Sequence, residues 1–241
     1  MSEGKNLAVK TSALVPAIAG GLIGGLLTAG LLLVAAPQFV GSRIVRQGLL
    51  ADPQILVDTA DRLRDRQYEP TLAAQRTAIE TPFGSSWKGS AKPDVVLVEF
   101  FDYACPYCKA SNPFVDQLLK EDKGLRVVYR ELPILGPQSV AAARLSLAAS
   151  KAGKFREFHD TLWAAGRPGP ETLAIASQAA GLQTPVIPGP DAEAELARNF
   201  KLAGALGATG TPLFVVGNKV MNAAVGYDAL KKAIAAARAR G

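Results

Sequence analysis

Val95-Val96-Leu97-Val98-Glu99-Phe100-Phe101-Asp102-Tyr103-Ala104-Cys105-Pro106-Tyr107-Cys108 decides how the 241-residue chain is read. Residues 95–103 are β-branched and aromatic, the composition of a buried strand. Lys109 to Asp122, with Phe114, Leu118 and Leu119 at helical spacing, reads as a helix. The pair Cys105 and Cys108 therefore sits where a strand turns into a helix. Cys105 falls at the helix N-terminus, where free backbone N–H groups and the dipole favour an anion. A thiolate is the nucleophilic form of cysteine, so Cys105 is expected as an exposed nucleophile. Cys108, one turn deeper, is placed to resolve a mixed disulfide formed on Cys105.

A structural zinc site needs four Cys or His ligands. The chain has two cysteines and one histidine, His159, which lies far along the sequence and reads as structural. Closed zinc and four-cysteine iron–sulfur sites fail on ligand count within one chain. A two-thiolate Cu(I) site stays open, since soft thiolates suit that ion.

Glu99 to Lys109 resembles the active-site strand of DsbA-like thiol–disulfide oxidoreductases, thioredoxin-fold proteins of the bacterial cell envelope. Gly210-Thr211-Pro212-Leu213-Phe214-Val215 resembles the cis-proline loop of that family, and Glu131-Leu132-Pro133-Ile134-Leu135-Gly136 matches a further stretch common in it. The resemblance covers roughly residues 85–240. It implies an α/β, thioredoxin-like fold with an inserted helical domain. It also implies Thr211 and Pro212 as substrate-binding residues, with Pro212 cis beside Cys105 and the Thr211 backbone presented to an extended substrate strand. In the family a buried acid occupies the position of Glu99. Alternation along the strand buries Glu99, burial raises a carboxyl pKa, and such an acid is able to pass protons to or from Cys108. Pro106 and Tyr107, both uncharged, are expected to tune the thiolate less strongly than a histidine between the cysteines. No metal or organic cofactor is implied.

The net charge is +6, with four of the 27 basic residues and one of the 21 acidic residues in the first fifty positions. The remaining 23 basic and 20 acidic residues make no nucleic-acid footprint. Residues 1–12 read as a short polar tail. Residues 13–36 are uncharged; as a helix they would span about 36 Å, enough for a hydrocarbon core of ~30 Å. That length favours an uncleaved transmembrane anchor over a signal peptide, whose apolar region is usually ~7–15 residues. The expected location is a single-pass protein of the inner membrane with its catalytic domain in the periplasm, where disulfide exchange is useful. Gly20, Gly21, Gly24 and Gly25 form two G-x-x-x-G pairs of the kind that lets membrane helices approach.

Residues 43–80 read as a separate helical segment, with Asp52 as cap and Pro53 at the first position. Ile55, Leu56, Ala60 and Leu63 fall near one face, and Pro70 interrupts. Arg43 to Leu56 is similar to the N-terminal segment of suppressor-of-copper-sensitivity protein C and related envelope proteins, which implies homo-oligomerisation. Residues 81–94 read as a linker rich in Gly and Ser, and 95–241 as the DsbA-like domain, with a helical insertion over 138–205. Thr184 to Asp191, with three prolines, reads as a loop. Gly217-Asn218 between apolar runs signals a hairpin, and Tyr227 to Arg240 a closing helix.

The expected activity is thiol–disulfide exchange with cysteine-containing envelope proteins, as oxidation or isomerisation, through a mixed disulfide. A membrane redox partner would reset the dithiol. The alternative is an envelope copper-binding or chaperone protein that uses the same thiols or the helical lid.

Overall fold

The computed structural model describes residues 41–182 and 189–240. The expected membrane span 13–36 and most of the expected loop Thr184–Asp191 lie outside these residues. Among the described residues no helix is long and apolar enough to cross a membrane.

The described residues divide between two compact units, the first ending at Asp61 and the second beginning at Arg62. The first contains α1 (residues 41–51) and the start of α2 (Gln54–Glu80). Asp52 Oδ1 accepts the Gln54 N–H at 3.1 Å, so it serves as the expected cap. Ile55, Leu56 and Leu63, which fall near one face of the helix, are exposed.

The larger unit is built on a five-stranded sheet of order β1-β3-β2-β4-β5. β1 is Trp87–Gly89, β2 Val95–Phe101, β3 Leu125–Glu131, β4 Leu213–Val216 and β5 Lys219–Met221. β2 and β3 are parallel, while β1, β4 and β5 pair antiparallel to their neighbours. α3 (Pro106–Glu121) follows β2 directly and runs through Pro113. Between β3 and β4 come α4 (Pro137–Lys151), α5 (Phe155–Ala165), α6 (Pro170–Ala179) and α7 (Pro190–Ala205), the expected insertion. The Gly217-Asn218 hairpin joins β4 to β5, with Gly217 in the left-handed region at φ +55°. α8 (Tyr227–Arg238) closes the chain.

Strand alternation divides the core. Leu97, Phe101, Val127, Tyr129 and Phe214 face one side, with both cysteines and α5. Val98, Phe100, Val128, Leu213 and Val215 face the other. That second face is covered from α2 by Leu72 and Ile79 and from α7 by Leu202.

Three expectations are corrected here. Pro70 does not interrupt α2, because Pro70 and Arg66 are exposed, so water can take the Arg66 carbonyl that loses its intrahelical donor. The C-terminal half of α2 is not a separate segment: Tyr68, Leu72 and Ile79, at helical spacing, pack into the sheet's second core. Residues 81–94 are not only a linker, since Trp87–Gly89 forms edge strand β1 in register with Val128 to Arg126.

Arg130 fixes the end of α2. Its guanidinium donates to the carbonyls of Ile79 (2.8 Å), Ala78 and Thr81 (2.7 Å), and to Glu195 and Asn199 of α7 at 2.8 Å each. The C-terminal carbonyls of a helix lack intrahelical donors and carry partial negative charge, so a cation suits them. Arg130 and Glu195 are both 2% exposed. Breaking such a buried pair by removing one partner costs about 3–5 kcal/mol, because the other charge is left uncompensated.

Candidate active site

β2 ends at Phe101, and the next four residues make the turn into α3. Asp102 organises this turn. Its Oδ1 accepts the Ala104 N–H at 2.8 Å, and its backbone carbonyl accepts the Cys105 N–H at 2.9 Å. Its Oδ2 accepts the N–H groups of Ile134 (2.8 Å) and Leu135 (2.9 Å), so one buried carboxylate ties the active-site turn to the loop after β3. An Asp that caps nearby backbone is an ordinary turn former. In the sequence Asp102 reads as part of the strand, and its place just ahead of Tyr103-Ala104-Cys105 is the one local signal of a turn former.

Cys105 is the N-cap of α3, and Pro106 takes the first helical position. There a missing N–H costs nothing and the fixed φ suits the helix. Cys105 and Cys108 are not joined to each other by a disulfide. Cys105 is 4% exposed, not the open nucleophile expected from its helix-terminal position. Its Sγ lies 3.2 Å from the Thr211 carbonyl oxygen, so the Thr211–Pro212 loop covers it. The Thr211–Pro212 peptide is cis, as the resemblance implies. The Thr211 hydroxyl is buried beside Cys108 without a well-aligned partner. Tyr107 is 65% exposed, and with Ile134 and Leu135 it adds apolar surface next to the turn.

Cys108 is fully buried. Burial pushes its thiol far above the ordinary cysteine range, and the charge of Glu99 adds to the rise; the Asp102 backbone and the Thr211 hydroxyl offset part of it. Glu99 is 1% exposed, and neither carboxyl oxygen has a hydrogen-bond partner among the described residues. Burial raises Glu99 to about 8, against the pull of Lys88. Lys88 comes from β1, within the stretch expected as linker. It is 8% exposed, and its Nζ pairs with Asp160 and lies 3.9 Å from Asp116. In the sequence the Gly and Ser content of 81–94 hides Lys88, whose place comes from the pairing of β1 with β3.

His159 is buried among aromatic rings and accepts or donates one hydrogen bond with the Tyr103 hydroxyl at 3.1 Å. It lines the core, as the sequence suggests.

Residues 96–235 match the DSBA-like thioredoxin domain. The chain belongs to that family. It is 36% identical to a thioredoxin-like oxidoreductase from Silicibacter pomeroyi DSS-3, over 68% of this chain and 98% of that one, with a TM-score of 0.64. The catalytic domain of Proteus mirabilis ScsC superposes with a TM-score of 0.65 at 26% identity, over 71% of this chain and 98% of that one. A stretch of 79 residues is 38% identical to the Na(+)/H(+) antiporter NhaA 3 of Salinispora tropica. That stretch is 32% of this chain, and the chain spans only 12% of the antiporter's length.

The acid at position 99 makes stability pH-dependent in a stated direction. Its pKa in the fold is raised, so its favourable contribution is complete below the ordinary carboxyl value of 4.5 and is lost as pH rises through about 8. The urea midpoint of the reduced protein is expected to fall between pH 5 and pH 9. Glu99→Gln should flatten that fall, so that the variant gains on the native chain at pH 9. An unchanged slope in the variant would place the titration elsewhere.

Proposed function

We propose that this chain is a thiol–disulfide oxidoreductase of the cell envelope that exchanges disulfides with cysteine-containing proteins. One observation carries the reading: Cys105 caps a helix N-terminus and faces the Thr211 carbonyl across the cis loop, while Cys108 is buried next to an unpartnered acid.

In the oxidising direction a substrate thiolate attacks Cys105 Sγ of the Cys105–Cys108 disulfide. The Sγ–Sγ bond breaks, Cys108 leaves with the electron pair, and a mixed disulfide joins the substrate to Cys105. Cys108 in its buried place holds a proton in preference to a charge, and Glu99, raised to about 8, is able to supply it. A second substrate thiolate then displaces Cys105 and carries away the new disulfide. Reduction and isomerisation run the same bonds in other orders. The Cys105 Sγ–Thr211 contact must open for an extended substrate segment to pair there. Tyr107, Ile134 and Leu135 offer apolar contact to such a segment. The location rests on residues 13–36, whose uncharged length suits a single-pass anchor with the catalytic domain in the periplasm.

A chain with Cys108→Ser should accumulate mixed disulfides with envelope proteins, visible on non-reducing gels and released by dithiothreitol. Cys105→Ser should trap none. Trapping by Cys105→Ser alone would reverse the two roles.

Self-association belongs to the same reading. Ile44, Val45, Leu50, Leu56 and Val57 are all more than half exposed along the first unit, an apolar load that a second copy of the chain would cover. Two sites in one assembly would favour isomerisation of a clamped substrate. Light scattering of the detergent-solubilised chain should give a mass of at least two copies, and a monomer at micromolar concentration would remove the argument for isomerisation.

A further inference from the structure

Four buried side chains outside the dithiol form one continuous hydrogen-bonded line. His159 Nδ1 of α5 is 3.1 Å from the Tyr103 hydroxyl. That hydroxyl is 2.9 Å from Ser146 Oγ of α4. Ser146 Oγ is 2.7 Å from Glu131 Oε1 at the end of β3. Glu131 Oε2 is buried without a hydrogen-bond partner among the described residues. Tyr103 and Glu131 belong to the thioredoxin core and Ser146 and His159 to the insertion, so the line crosses between them. Tyr103 stands two residues ahead of Cys105.

The protons along this line can be counted. An ionised Glu131 only accepts, so Ser146 must donate its single proton to it. Ser146 then accepts from Tyr103, and Tyr103, its proton spent, accepts from His159. That order requires the Nδ1–H tautomer of a neutral His159. A protonated Glu131 gains a hydrogen bond only by placing its proton on Oε1, since Oε2 has no partner. Glu131 then donates to Ser146, Ser146 to Tyr103 and Tyr103 to Nδ1, which leaves the histidine proton on Nε2. Both orders satisfy every link, and they run in opposite directions.

We propose that Glu131, Ser146, Tyr103 and His159 form a proton-ordered latch between the helical insertion and the strand leading into the cysteines, and that its direction reverses when Glu131 exchanges its charge for a proton. The reversal falls in an accessible range. Burial raises Glu131 to about 7, against the Ser146 hydrogen bond. From its own strand Arg130 favours the charged form, but Arg130 is already held by Glu195 of α7, which opposes it and is itself paired with Arg198. From α7, Asn199 donates to the Glu131 backbone carbonyl at 3.1 Å. Glu131 itself, Asp160 on α5 and Glu99 on β2 all act on Tyr103, opposing loss of its proton. Burial and the charge of Lys88 hold His159 well below the ordinary imidazole range, so the ring stays neutral while the latch reverses. The bearing of the latch on the dithiol rests on the oxidoreductase reading above; the latch itself does not.

The sequence contains one histidine, which makes the test direct. Long-range proton–nitrogen correlation spectra of the reduced, ¹⁵N-histidine-labelled chain, without an affinity tag of histidines, read the tautomer. At pH 8.5 Nδ1 should carry the proton. At pH 5.5 Nε2 should carry it, with the midpoint within about one unit of 7. Glu131→Gln should abolish the pH dependence, and so should Ser146→Ala, which cuts the line with a smaller change of charge and volume. One tautomer throughout the range in the native chain, or a reversal that survives in either variant, would overturn the proposal. Neither result depends on disulfide exchange, so loss of insulin reduction would count against the oxidoreductase reading and leave the latch standing.

Discussion

The carboxylate of Asp102 accepts three backbone N–H groups from two loops, one leading into Cys105 and the other following β3. Hydrogen bonds to a charged acceptor are roughly twice as strong as neutral ones, and a buried carboxylate left without them is costly. The turn and the Ile134–Leu135 loop are therefore fixed together. From that turn follow the N-terminal placement of Cys105 and the burial of Cys108 one turn below, while the Thr211–Pro212 loop reaches Cys105 from the start of the neighbouring strand β4. The dithiol is held between parts of the chain more than a hundred residues apart, and the sheet order puts β4 directly beside β2 to bring them together.

Below the turn, burial controls where protons sit. Glu99 and Cys108 share a face of the sheet, burial raises the proton affinity of both, and the charge of Glu99 raises that of Cys108 further. Lys88 counters this from β1 and is itself balanced by Asp160 and Asp116 at the rim. A reaction that charges Cys108 as leaving group thus finds an acid close by and a cation behind it. The geometry suits proton delivery inward during exchange more than a freely ionised second thiolate.

Much of this was legible in the sequence where it depended on local pattern. The strand-to-helix position of the cysteines, the burial of Glu99 by alternation, the hairpin at Gly217-Asn218 and the helices of the insertion all follow from spacing of two or of three to four residues. What the sequence hid depends on contacts between distant segments. Cys105 is at a helix N-terminus, which predicts exposure, but the Thr211 carbonyl covers it. Lys88 lies in a stretch whose glycines and serines suggest a linker, while its strand character comes from pairing with β3. The end of α2 is part of the core because Arg130, forty-nine residues beyond Thr81, collects its last carbonyls. Gly207, at φ +68°, lets the chain pass against the Tyr68 hydroxyl, a closeness no local pattern announces.

The central claim is a division of labour between two thiols that differ in surroundings. Brief alkylation of the reduced native chain with iodoacetamide at neutral pH, followed by mass spectrometry of the peptide carrying both cysteines, tests it most directly. The account predicts modification of Cys105, reached when the Thr211 contact opens, with Cys108 left as free thiol until the protein is unfolded. Equal labelling of the two, or labelling of Cys108 first, would contradict it.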